Sequence, residues 1–294
     1  MAELNKVGLI GWPADYSVSP AMHNAAFADL GLENWQYELL PTPPNELKER
    51  LLHLRAQGYI GANVTVPHKQ TIIPLLDGAV LSARGVNAVN TLIIEGGKIE
   101  GHNTDVYGIR ADLEAHGVVL KDLKALVLGA GGAAHAAVLA LANAGADVTV
   151  TNRHTQRAWD LYRNIRRGVS SQYRVNVQER TALARIAPNM ELVINCTPAG
   201  MYPIYTDVSP WPADVPIPSE MMVYDMVYRP LVTRFMQQAL DAGATAVGGL
   251  GMLVHQGAAA FQLWTGREPS VDIMRAAAEA EIKRSEENDK LDAS

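Results

Sequence analysis

The stretch KALVLGAGGAAHAAVLALANAGADVTVTNR, residues 124 to 153, constrains the fold of this chain more than any other. A short apolar run leads straight into Gly129, Ala130, Gly131, Gly132, Ala133 and Ala134, and an alanine-rich helical pattern and a second β-branched run follow. Strand, glycine turn, helix and strand in that order start a parallel βαβ unit, and the turn fits G-x-G-x-x-G/A with alanine last. The first glycine permits the tight turn, and the second lets a pyrophosphate approach the backbone. A small third residue lets helix and strand pack closely, and free N–H groups at the helix start then face the phosphates. A purely structural tight turn is the alternative reading.

The end of the second strand bears on which dinucleotide would bind. NAD-binding versions usually place Asp or Glu there for the ribose hydroxyls, whereas an arginine suits a 2′-phosphate. Here Asn152 and Arg153 stand in that place, with Thr155 and Arg157 just beyond and no acid. This predicts NADP, with NAD as the less favoured cofactor. A solvated Arg157 behind a helix cap at Thr155 is the plainer alternative.

Elsewhere, short β-branched or apolar runs alternate with amphipathic helical patterns, the signature of an α/β chain with parallel sheets. Early strands are expected at KVGLIG, WQYELL and GANVTV, with helices opening at Pro20 and near Glu46. NTLIIEGGKIEGHNTD reads as a hairpin about Gly96 and Gly97, and a helix starts near Val106. ELVINCTPAGM and MMVYDMVYRP add strands, GLGMLVHQGAAAFQLWTG and VDIMRAAAEAEIKRSEEN are helical, and EENDKLDAS reads as a frayed charged tail.

The 294 residues, 48% hydrophobic, are enough for two domains with real cores. With 25 Lys+Arg against 31 Asp+Glu and no basic block, the chain lacks the surface that nucleic acid or an anionic membrane would need. A small-molecule partner is expected instead. The apolar run at the start is broken by Gly and Pro within a few residues, so it reads as neither a signal segment nor a membrane span, and a cytoplasmic location is expected. A lone cysteine, Cys196, forms no internal disulfide and offers no cysteine set for zinc, and the histidines show no ligand spacing, so no metal is expected.

Three polar clusters mark the first half. Ser17 and Ser19 stand two apart in DYSVSPAMHN, so in an extended segment their hydroxyls point the same way. They suit a carboxylate or hydroxyl ligand, although Ser19 before Pro20 also fits a plain helix N-cap. In NVTVPHK, residues 63 to 69, Asn63 and Thr65 share one strand face, and a stop at Pro67 delivers Lys69 to a carboxyl edge, where open α/β sheets hold ligands. Asn87, Asn90 and Thr91, then Asn103, Thr104 and Asp105, flank the hairpin. Lys69 with Asp105 is the acid/base pair on offer, though each of these residues taken alone also fits a surface turn.

Together, SVSPAMHNAAF, NVTVPHK, AVNT, GHNTDVYG, GAGGAA, NR, NCTPAGM, DMVYRP and GLGMLVHQGAAAFQLWTG resemble the shikimate dehydrogenase family, in the family's order and along almost the whole chain. The resemblance implies a two-domain α/β fold. In it a substrate domain, residues 1–106, is completed by helices in 255–294, a Rossmann-type doubly wound NADP domain spans 107–254, and a cleft lies where the two meet. It implies that Ser17 and Ser19 bind a carboxylate and that Thr65, Asn90 and Asp105 bind ring hydroxyls. Gln256 would contribute from the C-terminal helix and Tyr228 from the cofactor side, with Lys69 and Asp105 as the catalytic pair. The NADP site would comprise Gly129, Ala130, Gly131, Gly132 and Ala133, then Asn152, Arg153 and Arg157 at the 2′-phosphate, and Met226 and Gly249 near the nicotinamide. The implied reaction is reversible reduction of 3-dehydroshikimate to shikimate with NADP, in a monomer or homodimer. A quinate/shikimate dehydrogenase using NAD or NADP is the alternative within the family, and a nucleotide-binding regulatory protein without turnover is the alternative outside it. Departures from the family pattern are His154 after Asn-Arg, His135 in place of a common arginine, NCTPAG for a more usual Asn-Ala-Thr-Ser run, and Asn87 where glycine or alanine is common.

Overall fold

The computed structural model describes residues 4–80, 83, 86–168 and 173–292. The chain divides into two compact units, one of residues 1–104 with 254–294, the other of residues 105–253.

The first unit holds a mixed six-stranded sheet. Its strands are β1 (Asn5–Gly11), β2 (Trp35–Pro41), β3 (Gly61–Val64), β4 (Gly78–Ala79), β5 (Thr91–Glu95) and β6 (Lys98–His102), in the order β2-β1-β3-β5-β6-β4. β1 pairs in parallel with β2 and β3, as the crossover helices α1 (Ser19–Asp29) and α2 (Leu47–Ala56) require, and β5 and β6 form the expected antiparallel hairpin. Gly96 and Gly97 both adopt positive φ, which a two-residue turn of this hand demands. Ile10, Leu40, Leu47, Leu51, Leu54, Val64 and Leu92 form a buried cluster between α2 and the sheet.

The aromatic side of this unit is closed from the far end of the sequence. Helix α9 (Leu250–Thr265) brings Phe261 to 4.8 Å from Phe27 of α1, and Trp264 donates from Nε1 to the Leu92 carbonyl of β5 at 2.9 Å. His23 lies flat against Tyr37 with ring centroids 4.3 Å apart. Burial pushes its imidazole down to about 3, so it is a neutral aromatic filler. Helix α10 (Val271–Asp292) packs on α1. It continues to Asp292, through the stretch from Glu286 expected to fray.

The second unit is a parallel sheet of β7 (Lys124–Leu128), β8 (Asp147–Thr151), β9 (Arg174–Val177), β10 (Leu192–Asn195), β11 (Met222–Asp225) and β12 (Thr245–Gly248). The order β12-β11-β10-β7-β8-β9 is the doubly wound arrangement, with its reversal between β7 and β10, where such sheets hold ligands outside the carboxyl ends of their strands. Helices α4 (Asp105–Ala115), α5 (Gly132–Asn143), α6 (Thr155–Gly168) and α8 (Arg234–Asp241) belong to this unit, with the single turn α7 (Leu183–Ile186). No helix among the described residues is long and apolar enough to cross a membrane.

Two local expectations change. The strand read as GANVTV ends at Val64: Trp12 N donates to the Val66 carbonyl, Pro67 has no N–H, and His68 N closes a turn onto the Thr65 carbonyl at 2.9 Å. Ser19 is the first residue of α1 and does not cap it; Val18 holds the cap position without a side-chain bond.

Candidate active site

The polar residues of the first unit converge through the backbone. The turn after β3 carries Thr65 into the short helix α3 (His68–Thr71), and the Lys69 carbonyl accepts from Val89 N at 2.7 Å. The next residue, Asn90, accepts at its carbonyl from Val64 N at 2.8 Å. Thr65, Lys69 and Asn90 are thereby held around one strand end. Asn87 reaches this position with φ of 53°, a left-handed backbone that asparagine tolerates better than most residues, which accounts for its standing where glycine is common.

Asn90 is buried, and its side chain is the hub of a hydrogen-bond network. Nδ2 donates to Thr104 Oγ1 at 2.9 Å and to Gln256 Oε1 at 3.2 Å, while Oδ1 accepts from Thr104 N at 2.7 Å. Thr91 Oγ1 donates to Asn90 Oδ1 at 3.1 Å and accepts from Asn63 Nδ2 at 3.2 Å, and Asn63 Oδ1 accepts from the Tyr37 hydroxyl at 2.9 Å. Asn63 is therefore committed to this scaffold. Thr91, Thr104 and Tyr37 support the site without having stood out as ligands; the signal for the first two was their place beside Asn90 and Asp105 at the ends of the hairpin.

Ser17 Oγ donates to Ser19 Oγ at 3.1 Å and accepts from Ser19 N at 3.3 Å. With its oxygen freed from capping and its neighbour's proton accepted, the Ser19 hydroxyl keeps its own proton for an acceptor such as a carboxylate. His68 faces the other way: it is 1% exposed, with Nε2 2.7 Å from the Thr42 carbonyl, while Lys69 beside it is half-buried.

In the second unit, Asp105 opens α4 and is 2% exposed. The glycine turn forms as expected. Gly129 has φ of 120°, and a Cβ there would lie 3.1 Å from the Cys196 carbonyl. Gly131 is exposed at the N-cap of α5, and a Cβ built on it meets nothing within 4 Å. The first amides of α5 open toward that space, and this fits a pyrophosphate group. His135 turns its Nδ1 back to the Gly131 carbonyl at 3.0 Å, and burial lowers its pKa. That ring is neutral, whereas an arginine would have carried a charge.

Gly129 N donates to the Thr151 carbonyl at 2.9 Å, which sets the end of β8 beside the glycine turn. Asn152 follows, half-buried, with Nδ2 donating to the His154 carbonyl at 3.0 Å. Arg153 and Arg157 are exposed, and neither pairs with a carboxylate among the described residues. Their uncompensated guanidinium groups suit a phosphate monoester.

At the other end of this sheet edge, Met226 N donates to the Asn195 carbonyl at 3.1 Å, and Gly249 N to the Val227 carbonyl at 3.1 Å. A Cβ on Gly249 would overlap the Met226 backbone, so only glycine fits. Tyr228 is half-buried two residues on from Met226. Beneath them Asp225 is fully buried: Oδ1 accepts from Asn195 Nδ2 at 2.8 Å and Val227 N at 3.0 Å, and Oδ2 from Thr233 Oγ1 at 2.7 Å. Burial raises this carboxyl to about 6 against the pull of those three donors. The Asn195–Asp225 pair was missed in the sequence, although a polar residue ending each of two apolar strands was a readable signal. The Cys196 thiol touches Met226 Sδ at 3.2 Å and is held protonated by burial first and by Asp225 second, so it is no nucleophile. No cluster of three or more potential metal ligands occurs among the described residues.

Three family models match the chain: the shikimate dehydrogenase substrate binding domain over residues 9–92, shikimate / quinate 5-dehydrogenase over 113–210, and the shikimate 5′-dehydrogenase C-terminal domain over 249–279. Among curated relatives, the shikimate dehydrogenase (NADP(+)) of Symbiobacterium thermophilum is 43% identical over 284 residues, 94% of each chain. That of Methanopyrus kandleri is 42% identical over 278 residues, 94% of this chain and 95% of the other. The shikimate 5-dehydrogenase of Thermus thermophilus, solved with NADP(H) and shikimate, superposes with a TM-score of 0.85 at 38% identity, covering 95% of this chain and 100% of that one.

Proposed function

The chain belongs to the shikimate dehydrogenase family, and on that footing we propose that Lys69 and Asp105 are the groups that carry its reaction. The activity is the reversible NADP-dependent reduction of 3-dehydroshikimate to shikimate. Residues 9–92 match the family's substrate domain, and the doubly wound sheet holds the glycine turn.

The observation that supports the site assignment best is the convergence of Thr65, Lys69 and Asn90 at one strand end, with Asn90 bonded to Thr104 and Gln256. Ser17 and Ser19 hold the substrate carboxylate, and Thr65, Asn90 and Gln256 hold ring hydroxyls. The nicotinamide of bound NADP exchanges hydride with C3 of the substrate. Lys69 delivers a proton or a charged hydrogen bond to the C3 oxygen, stabilising charge that develops there, and Asp105 orients the reacting hydroxyl. The amides of Gly131, Gly132 and Ala133 with Gly129 and Ala130 hold the pyrophosphate, and Asn152, Arg153 and Arg157 hold the 2′-phosphate. Met226 and Gly249 border the nicotinamide, and Tyr228 reaches the substrate from the cofactor side.

The protein works on this small molecule in the cytoplasm, as a monomer or homodimer. An absorbance assay of reduced nicotinamide, run with shikimate or quinate and with NADP or NAD, tests the reading. Turnover with shikimate and NADP is expected to exceed the other three combinations; a preference for quinate or NAD would reverse the corresponding assignment.

A further inference from the structure

We propose that Gly11, the last residue of β1, is a positioning residue that fixes which face Thr65 presents to the substrate, an inference that rests on Thr65 being a substrate contact. The Thr65 methyl group Cγ2 lies over the bare Cα of Gly11, and a Cβ built on Gly11 falls far inside van der Waals contact with it. The next nearest neighbours of that Cβ, the Val66 carbonyl at 3.5 Å and Ala14 Cβ at 3.7 Å, are at ordinary distances. Among the described residues, the obstacle to a side chain at residue 11 is that one methyl group.

The Thr65 backbone is pinned on both sides of the contact. Thr65 N donates to the Ile10 carbonyl at 2.9 Å, and Trp12 N donates to the Val66 carbonyl at 3.0 Å. Gly11 is itself held, its carbonyl accepting from Thr42 N at 2.9 Å. Neither backbone can retreat without breaking these hydrogen bonds, so a clash has to be relieved by rotation about χ1 of Thr65.

The staggered wells leave one outcome. With Gly11 present, the methyl faces β1 and the hydroxyl takes a second well; among the described residues no group hydrogen-bonds that hydroxyl, and Thr65 is half-buried, so the hydroxyl is available to a ligand. With a methyl on residue 11, only the Thr65 Hβ fits toward β1. The chirality of threonine then sends Cγ2 into the well the hydroxyl had occupied. The substrate meets a methyl group in place of a hydrogen-bonding oxygen.

A rescue follows from the same stereochemistry. Serine at residue 65 has no Cγ2, so it can turn a hydrogen toward the methyl added at residue 11 and keep its hydroxyl in the original well. Steady-state kinetics of the full chain would compare Gly11→Ala, Thr65→Ser and the double variant, with circular dichroism confirming the fold of each. Gly11→Ala is expected to raise KM for shikimate about fivefold to tenfold, the loss of one hydrogen bond, with KM for NADP within about twofold. The double variant is expected to return to within about twofold of Thr65→Ser alone. An unchanged KM in Gly11→Ala, or a double variant as impaired as that single one, overturns the proposal. Should Gly11→Ala not fold, the double variant still must, and its failure to fold also overturns it. Thr65→Val separates the premise: an unchanged KM for shikimate there removes Thr65 from the substrate site and the proposal with it, whereas a raised KM with no rescue removes Gly11 alone.

Discussion

Asn195 donates from Nδ2 to the buried Asp225 carboxylate at 2.8 Å, joining the carboxyl ends of β10 and β11 where their backbones already pair. The bond holds together the loop that continues to Thr197 and the loop that carries Met226 and Tyr228.

This carboxyl makes stability depend on pH in a defined direction. Its folded pKa of about 6 lies above the ordinary value of 3.8, so between those values the folded state binds the extra proton. Its contribution is fully present below the lower value and is lost as pH rises through about 6, a change of about 3 kcal/mol for a shift of this size. Buried His23 titrates in the opposite sense in both proteins, so urea unfolding is expected to show the wild type losing about 3 kcal/mol relative to Asp225→Asn as pH rises through this window. Parallel curves would refute it.

On the proposed role of Lys69, Lys69→Ala is expected to lower kcat by about two decades or more while KM for shikimate changes little, because a proton or charge supplied to the C3 oxygen is needed most in the transition state. Near-normal turnover would remove Lys69 from the mechanism.

If Arg153 holds the 2′-phosphate as proposed, Arg153→Ala should raise KM for NADP far more than KM for NAD, since an exposed guanidinium without a carboxylate partner among the described residues suits a phosphate that only NADP carries. Equal effects on the two cofactors would undo the assignment.

Tyr224 is buried and gives its hydroxyl to Asp112 Oδ2 at 2.6 Å on α4. Tyr224→Phe takes a donor from a buried carboxylate and is expected to cost about 1.5 to 3 kcal/mol in stability, read as a lower urea midpoint at unchanged slope. A midpoint equal to the wild type would show that other donors replace the lost one.

Local chemistry made much of this legible. The glycine turn, the Gly96–Gly97 hairpin and the alternating pattern of the second unit follow from backbone freedom and apolar periodicity, and these were read at nearly the right bounds. The misreadings come from interactions between distant segments. Thr65 leaves its strand because Trp12 and Pro67 divert it, and Ser19 is spared capping because Val18 takes that position. Asn63, which shares the polar strand face with Thr65, serves as a support there through Tyr37 and Thr91. The two-residue strand β4 is too short for a period to register, and β9 (RVNV) and β12 (TAVG) lack the continuous apolar run that marks the equally short β10 and β11. Asn195 and Asp225, 30 residues apart in sequence, could be flagged as strand-end polar groups, but only the sheet order makes them neighbours.

The bond from Trp264 to the Leu92 carbonyl also governs when the first unit can be finished. Synthesis runs from the amino terminus, so the sheet of the first unit waits, with its aromatic side bare, until α9 and α10 leave the ribosome. The continuous nucleotide-binding unit is complete before then. A premature stop soon after residue 253 would therefore release a chain with one finished half and one exposed sheet, a substrate for chaperones and proteases.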